Sequence, residues 1–281
     1  MQIKILPLIL LILSISLNAQ NSSARDLGNE LIKAAAKGDL ERVKYLVINT
    51  SVDIDYIYIV FEEEFKMFLE EYYDEEVENY ISHSSTALSC AIEIGNLEMV
   101  KFLVNNGANI NLLIDEDYSA LNYATKKGNL EIVKFLVSKG ANVNPNSGCP
   151  PLISALEEEY PRDEYFEIVR FLVSNGANVN VLYKVEKPSL STPLSTPLSI
   201  EKLLLLFYSD SPKTHVDILH EGSTPLTLAV RGGNLQIVKF LVDNKADINT
   251  VGYGGKTPIS IAKERGWRDI ISYLRMQGAS E

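Results

Sequence analysis

Hydrophobic positions recur along this chain with a period near 33 residues. The stretch GNLEIVKFLVSKGANVN, from Gly128 to Asn144, closely matches the stretch from Gly95 to Asn111, which begins 33 residues earlier. Further copies run from Phe166 to Asn180 and from Gly233 to Asn249, and weaker copies from Gly38 to Asp55 and from Gly266 to Ser280. A fixed period of this length is typical of repeat proteins, in which each repeat packs only on its neighbours. We therefore expect one elongated domain.

Each copy predicts a pair of helices. In the third copy, Leu121 and Ala124 lie on one side of a short first helix that ends at Gly128. In the second helix, the apolar residues from Ile132 to Val137 crowd one side. Neither helix is amphipathic enough to stand alone, so neighbouring repeats must bury its apolar surface. The fold class predicted from this pattern is an all-α repeat solenoid.

The start of each repeat carries a more specific motif. Thr224 to Thr227 and Thr257 to Ser260 place proline in the first helical turn, where its missing N–H costs nothing. Thr86 to Ser89 and Ser119 to Asn122 keep the hydroxyl cap and the apolar third residue without proline. An alanine recurs shortly after these starts, at Ala34, Ala91, Ala124, Ala155, Ala229 and Ala262.

In these motifs the chain resembles the ankyrin repeat family, and six copies agree in spacing as well as in residue type. The histidine that the family usually carries after Thr-Pro-Leu is absent from every copy. The resemblance implies stacked helix-turn-helix repeats joined by hairpin loops. Within residues 20–281 we assign repeats at about 27–55, 85–113, 118–146, 149–183, 190–222, 223–251 and 256–281.

The repeat at 190–222 is degenerate. Thr192 lies 32 residues before Thr224, close to one period, and the stretch from Thr214 to Leu219 resembles the loop endings of the other repeats. A proline-rich loop is the alternative interpretation of this low-complexity stretch.

An acidic insertion, at about 56–84, separates the first two repeats. Phe61 to Tyr80 contains nine acidic residues and one lysine, which is most of the chain's net charge of -11. Its apolar residues fall largely at helical spacing, so we predict an acidic amphipathic helix folded back on the repeats. Its acidic side is a solvated face or, alternatively, a docking surface for a basic partner.

The first nineteen residues are different in kind. Lys4 precedes an apolar run from Ile5 to Leu17, and Ala19 supplies a small residue for cleavage, which is typical of a secretory signal peptide. The apolar run is shorter than the roughly 20 residues that span a bilayer, so an uncleaved anchor is the second interpretation. We therefore expect an exported protein, periplasmic or secreted, that begins near Gln20 and has no stable membrane insertion after cleavage.

Net charge limits the class of partner. A charge of -11 and a pI near 4.9 argue against nucleic acid and anionic lipid, because both attract cationic surfaces. We expect a monomer that binds a basic or neutral protein of unknown identity.

The sequence offers little support for chemistry. Cys90 and Cys149 lie two repeats apart, farther than the roughly 7 Å that a disulfide allows between Cα atoms, so we expect a buried thiol and a loop thiol. The histidines His83, His215 and His220 lie in irregular segments and complete neither a zinc site nor a nucleophile–base pair.

Two further stretches partly resemble binding or catalytic motifs, but each lacks residues that the motif needs. The stretch from Gly252 to Pro258 ends like a phosphate-binding loop, but Thr250 stands where the first glycine is needed, so we interpret it as a hairpin loop. The acidic segment lacks the residue pattern of a calcium-binding loop. Glycosidases need two carboxylates a set distance apart, but any helix rich in glutamate meets that distance, so the spacing is not evidence for such an activity. We predict no catalytic residue, no cofactor and no metal, and therefore not an enzyme.

The family resemblance implies binding through a concave face built from the hairpin loops and the ends of the first helices. Packing residues are nearly constant among the copies, so only variable positions can identify a partner. The variable positions are Glu93, Ile94, Leu112, Leu113, Asp115, Glu116, Asp117, Tyr118, Lys126, Lys127, Leu182, Tyr183, Arg231, Gly232 and Tyr253. The alternative is a secreted effector or inhibitor whose activity lies in residues 186–222, a stretch too short for a catalytic domain.

Overall fold

The computed structural model describes residues 22–56, 58–59, 84–114, 118–146, 148–156, 163–183 and 222–280. The signal peptide, the acidic helix predicted at 61–80, the three histidines and nearly all of the 186–222 segment lie outside these residues. The α-helices of the described part are α1 Ser22–Ala36, α2 Leu40–Asn49, α3 Ala87–Glu93, α4 Leu97–Asn105, α5 Ala120–Lys126, α6 Leu130–Ser138, α7 Pro151–Ser154, α8 Asp163–Ser174, α9 Pro225–Arg231, α10 Leu235–Asp243, α11 Pro258–Arg265 and α12 Arg268–Met276. Two short strands, β1 Tyr58–Ile59 and β2 Ser84–Ser85, pair antiparallel, and Tyr253–Gly255 forms a 3-10 turn.

The helices form six consecutive pairs within the described residues, and these pairs stack. Along one row, the first helices contact one another in the order α1, α3, α5, α7, α9, α11. Along a parallel row, the second helices contact one another in the order α2, α4, α6, α8, α10, α12. This architecture confirms the predicted all-α repeat solenoid.

The second helices contribute three constant apolar positions to the core. Ile132, Val133 and Leu136 of α6 are fully buried, as are the residues at the same three positions of α4, α8 and α10. Because these positions touch helices on both sides, a nearly constant apolar set is needed at each step of the stack.

Short polar side chains cap the start of the first helices. They stand at the position where the ankyrin repeat family usually has histidine. Ser89 Oγ accepts from the Thr86 N–H at 2.9 Å, and Thr86 Oγ1 accepts from the Ser89 N–H at 3.1 Å. Thr224 and Thr227 form the same capping box. Asn122 also reaches the next repeat, because its Nδ2 donates to the Cys149 carbonyl at 2.7 Å and to Ser154 Oγ at 2.9 Å. The Asn122 bonds therefore connect the third repeat to the fourth, whereas the capping boxes stay within one helix start.

A ladder of Asn and Asp side chains joins the loops that follow the second helices. At each step an Oδ1 atom accepts from a main-chain N–H of the next repeat. The pairs are Asp55 with Asn109 at 2.8 Å, Asn111 with Asn142 at 2.9 Å, Asn144 with Asn178 at 2.8 Å, Asn180 with Asp247 at 2.8 Å and Asn249 with Ser280 at 2.8 Å. The geometry is uniform although the paired residues lie 31 to 67 positions apart in sequence.

The ladder runs directly from the repeat at 149–183 to the repeat at 223–251. Asn180 bonds directly to Asp247, and its Nδ2 donates to the Lys245 carbonyl at 3.0 Å. The helices α7 and α9, and likewise α8 and α10, are also in contact. The helix pairs of 149–183 and 223–251 are therefore neighbours in the described stack. The degenerate repeat at 190–222 stays a prediction, because nearly all of it lies outside the described residues.

Each of the two long connections begins and ends at main-chain segments that are hydrogen-bonded to each other. The β1–β2 pair joins Ile59 to Ser84, so residues 60–83 begin and end at one point. The Tyr183 N–H donates to the Ser223 carbonyl at 3.0 Å and the Gly222 N–H donates to the Tyr183 carbonyl at 2.7 Å, which closes the 184–221 connection in the same way. The stacking of repeats therefore continues past both insertions.

Both cysteines are buried, and neither forms a disulfide. Cys149 precedes α7 outside any helix, as predicted, but it is not an accessible loop thiol: its Sγ lies 3.4 Å from Ser154 Oγ inside the stack. Burial raises the pKa of the Cys90 thiol to about 12. None of the described helices has the length and apolar content needed to cross a bilayer.

Candidate protein-binding face

Several predicted site residues meet where the first helices of the second and third repeats end. Glu93 ends α3, and Lys126 ends α5. Lys127 follows α5 at once, and its Nζ lies 2.9 Å from Glu93 Oε2. Since both side chains are partly exposed, this ion pair contributes little stability, but it holds charged groups of two repeats side by side.

The hairpin before α5 reaches the same place. Ile114 and Tyr118 exchange main-chain hydrogen bonds of 2.8 and 3.1 Å. The ring of Tyr118 lies 6.2 Å from the ring of Tyr123, centroid to centroid, and Lys126 Nζ lies 5.4 Å from the Tyr118 centroid. An ammonium group this close to an aromatic ring is held by a cation–π attraction.

We name Glu93, Tyr118, Tyr123, Lys126 and Lys127 the tyrosine–lysine surface. Tyr123 is the member that the sequence analysis missed. It stands three residues before Lys126, so the two side chains occupy the same side of α5. That three-residue spacing is a signal in the sequence that could have identified Tyr123.

Other candidates on the first helices are partly covered. Ile94 is half-buried, and its Cδ1 lies 3.4 Å from the point where a Cβ on Gly38 would stand, so Ile94 packs against the first repeat. Arg231, at the end of α9, is half-buried, and Gly232 is buried. These residues help join repeats as well as line the surface.

Tyr183, one of the predicted partner-binding positions, is buried in the structure. Only 1% of Tyr183 is exposed, because main-chain pairing with Gly222 and Ser223 holds it against the stack. Leu182, next to it, is 41% exposed. Tyr183 is therefore core, and Leu182 is the accessible residue of the two.

The remaining loop candidates differ in exposure. Leu112 and Leu113 are half-buried, and Asp115, Glu116 and Asp117 lie outside the described residues. Tyr253 belongs to the 3-10 turn, and its side chain is not described. Val251, which was not predicted, is 57% exposed and occupies the same place after Asn249 that Leu182 occupies after Asn180.

The net charge of the described residues differs from that of the whole chain. The described residues contain 19 Lys and Arg against 16 Asp and Glu, whereas the chain as a whole carries 26 against 37. Most of the acidic excess therefore belongs to residues outside the described part. Within the described part, no three His, Cys, Asp or Glu side chains come together as metal ligands.

A family model described as ankyrin repeats matches the chain in three copies, over residues 7–146, 88–182 and 197–280. The chain belongs to the ankyrin repeat family. Ankyrin repeat domains generally mediate contacts between proteins, and they are typically not enzymes.

Curated relatives match a quarter to a third of this chain. It is 43% identical over 68 residues to mouse protein phosphatase 1 regulatory subunit 27, which covers 24% of this chain and 44% of the relative. It is 37% identical over 73 residues to rat ankyrin repeat and SAM domain-containing protein 6, or 25% of this chain and 8% of the relative. It is 32% identical over 94 residues to alpha-latroinsectotoxin-Lt1a of Latrodectus tredecimguttatus, or 32% of this chain and 6% of the relative. The chain thus spans less than half the length of these relatives.

Solved ankyrin structures show the same fold. An ankyrin repeat domain from Acinetobacter baumannii superposes with a TM-score of 0.57 at 24% identity, covering 89% of this chain and 98% of that one. The ankyrin repeat domain of Bcl-3, titled a member of the IkappaB family, superposes with a TM-score of 0.55 at 19% identity, covering 89% and 86%.

Proposed function

We propose that this chain is a non-enzymatic ankyrin repeat protein that holds another protein on the tyrosine–lysine surface. The observation that carries the proposal is that Tyr118, Tyr123 and Lys126 lie together on a hairpin and a helix. Beside them, Lys127 pairs with Glu93 of the preceding repeat. Aromatic rings with a cation beside them are typical of residues that dominate protein interfaces. The surface is also anchored from the fourth repeat, because the Tyr165 hydroxyl donates to the Lys126 carbonyl at 2.7 Å.

The chemistry of this surface favours a neutral or acidic partner. The net charge of -11 predicts a basic or neutral partner, but the acidic excess lies mainly outside the described residues. Two exposed lysines next to two tyrosines instead match a partner segment that offers carboxylates beside apolar side chains. Glu93 pairs with Lys127, and among the five residues of the tyrosine–lysine surface two are lysines and one is a glutamate.

Export is a further part of the proposal. It is supported by the charged start, the apolar run and the small residue at Ala19, which together have the pattern of a signal peptide. The protein would then act in the periplasm or outside the cell. Sequencing the N-terminus of protein recovered from the exported fraction should find a start near Gln20, and recovery of full-length protein from the cytosol alone would refute export.

Affinity capture from that exported fraction tests the binding surface. The variant is Lys126→Glu/Lys127→Glu, and the control, Lys134→Glu/Lys139→Glu, makes the same charge change at exposed positions in and just after α6 of the same repeat. Circular dichroism should show that both fold. We expect the first variant to lose a captured protein that the wild type and the control retain. Equal capture by all three would reject this surface.

Tyr183→Ala is an unsuitable variant for this capture test. Because Tyr183 is buried, its replacement by alanine would cost about 3 to 5 kcal/mol of stability in the manner of other buried aromatic residues. A loss of capture by that variant would therefore report unfolding and not a lost contact.

A further inference from the structure

The fourth repeat differs from most others at the residue just before its second-helix motif. Four other repeats have Asp or Asn there, and its Oδ1 accepts from the N–H three residues later at 2.9 to 3.1 Å; these residues are Asp39, Asn96, Asn129 and Asn234. The fourth repeat has Tyr165 instead, and α8 already begins at Asp163. Because the helix starts earlier, its first turn needs no side-chain cap from this position, so Tyr165 can make a different contact.

The Tyr165 side chain contacts the preceding repeat. It is 9% exposed, and its hydroxyl donates to the Lys126 carbonyl at 2.7 Å. Lys126 is the last residue of α5, and the final carbonyls of a helix have no N–H partner within that helix. The Lys127 N–H belongs to the same peptide group and donates to the Tyr123 carbonyl at 3.0 Å. The peptide group that joins the two lysines is therefore held at both its C=O and its N–H.

This peptide group determines where both lysine side chains begin. Lys126 Nζ lies 5.4 Å from the centroid of the Tyr118 ring, and Lys127 Nζ lies 2.9 Å from Glu93 Oε2. A peptide group is planar and carries a Cα at each end, so its rotation would move both side chains together. Since long side chains lose rotamer freedom when a partner binds, a fixed main chain lowers the entropic cost of that step.

We infer that Tyr165 is the positioning residue of the tyrosine–lysine surface: its hydroxyl orients the Lys126 and Lys127 ammonium groups to receive carboxylates of one acidic partner segment. The inference rests on the proposed function of that surface. Tyr165 acts through the main chain of α5, because its own side chain is buried between the third and fourth repeats.

Nuclear magnetic resonance of the whole protein, with isotope-labelled methyl groups on its lysine amines, tests the positioning without a partner. The Tyr118 ring should shift the Lys126 methyl signal upfield. Tyr165→Phe keeps the buried ring and removes only the hydroxyl, so it should move this signal toward that of an unshifted lysine. Lys139 Nζ lies 5.7 Å from the Phe135 centroid, and its signal should stay in place as an internal control. A Lys126 signal that is the same in the wild type and in Tyr165→Phe would overturn the inference.

Titration calorimetry with the purified protein that the wild type captures tests the consequence for binding. We expect Tyr165→Phe to bind about three- to tenfold more weakly, because less ordered lysines cost more to immobilise. The matched control Asn234→Ala removes a hydrogen bond at the equivalent position of another repeat and should bind as the wild type does. In a Lys126→Met/Lys127→Met background, Tyr165→Phe should have no further effect on affinity.

The outcomes separate this inference from the proposed function. If Lys126→Glu/Lys127→Glu keeps the captured protein, the surface itself is rejected. If that variant loses it while Tyr165→Phe binds as tightly as the wild type, the surface stands and the positioning role is refuted. An equal loss of affinity on Tyr165→Phe with and without the two lysines would also refute the role, because the hydroxyl would then act independently of them.

Discussion

The two hydrogen bonds of the Asn180 side chain provide the sharpest test of the order in which the repeats stack. Its Oδ1 accepts from the Asp247 N–H at 2.8 Å, and its Nδ2 donates to the Lys245 carbonyl at 3.0 Å. The replacement Asn180→Ala removes both of these side-chain hydrogen bonds to the next repeat. Asn144→Ala is the matched control, because Asn144 bonds Asn178 at 2.8 Å and Gly176 at 2.7 Å in the same arrangement.

The expected loss follows from the number and exposure of the bonds. A hydrogen bond contributes about 0.5 to 1.5 kcal/mol net, and both asparagines are exposed, so water compensates part of each loss. We expect each variant to lose about 1 to 2 kcal/mol of unfolding free energy. For a chain of this size that corresponds to a fall of about 2 to 8 °C in Tm.

Two optical probes distinguish where the loss acts. Circular dichroism at 222 nm follows all helices during urea unfolding, whereas Trp267, the single tryptophan, follows the last two repeats because its indole lies on Gly233. Breaking the Asn180 bonds uncouples those two repeats from the other four. The tryptophan transition of Asn180→Ala should therefore move below its circular dichroism transition, and that of Asn144→Ala should not.

One result would refute the stacking order. If Asn144→Ala is destabilised and Asn180→Ala is unchanged by both probes, the helix pairs of 149–183 and 223–251 are not neighbours. Residues 190–222 could then form the intervening repeat that the spacing of Thr192 and Thr224 predicts. Destabilisation of both variants by similar amounts supports direct contact.

Three other perturbations follow from single contacts. Gly233→Ala should lose about 2 to 4 kcal/mol in urea unfolding, because its φ is +71° and the new Cβ would lie 2.7 Å from Trp267, whereas Gly254→Ala, with φ +67° and open space, should lose only about 1; equal losses would contradict the role of the indole. Cys90 should resist Ellman's reagent in the folded protein, and stability should fall between pH 9 and 12, because the unfolded thiol ionises near 9.0 while burial holds the folded pKa at about 12; rapid native labelling would show that this thiol is accessible. Arg42→Ile should give concentration-dependent association by light scattering at ~500 mM salt, because it exposes an apolar end, and a monodisperse variant would show that the arginine does not protect that end.

Periodicity was sufficient to predict the helix pairs. Positions such as Leu136 recur at fixed spacing because each contacts the same neighbours in every repeat, so a local pattern contains the packing information. The hydroxyl and asparagine residues at helix starts, such as Thr86 and Asn122, were equally visible, although the inter-repeat bond of Asn122 was not.

What the sequence could not reveal depends on contacts between distant residues. The Asn180–Asp247 bond spans 67 positions, and no local pattern shows which of two candidate stretches comes next in the stack. Tyr183 looked like an accessible loop aromatic because its cover comes from main-chain pairing with residues about 40 positions later. Tyr123 was hidden for the opposite reason: a regular motif made a partly exposed residue look like core.

Main-chain pairing at the two ends of each long connection affects how the chain folds and which changes in sequence it tolerates. Loop-closure entropy grows only with the logarithm of length, by about 0.6 kcal/mol for each doubling. Ladder bonds that close 31 and 67 residues therefore differ by less than about 1 kcal/mol in that cost. Residues 60–83 and 184–221 can accordingly lengthen, shorten or change composition while the stack keeps its spacing, so these two connections are suitable sites for grafting a peptide or a fluorescent label.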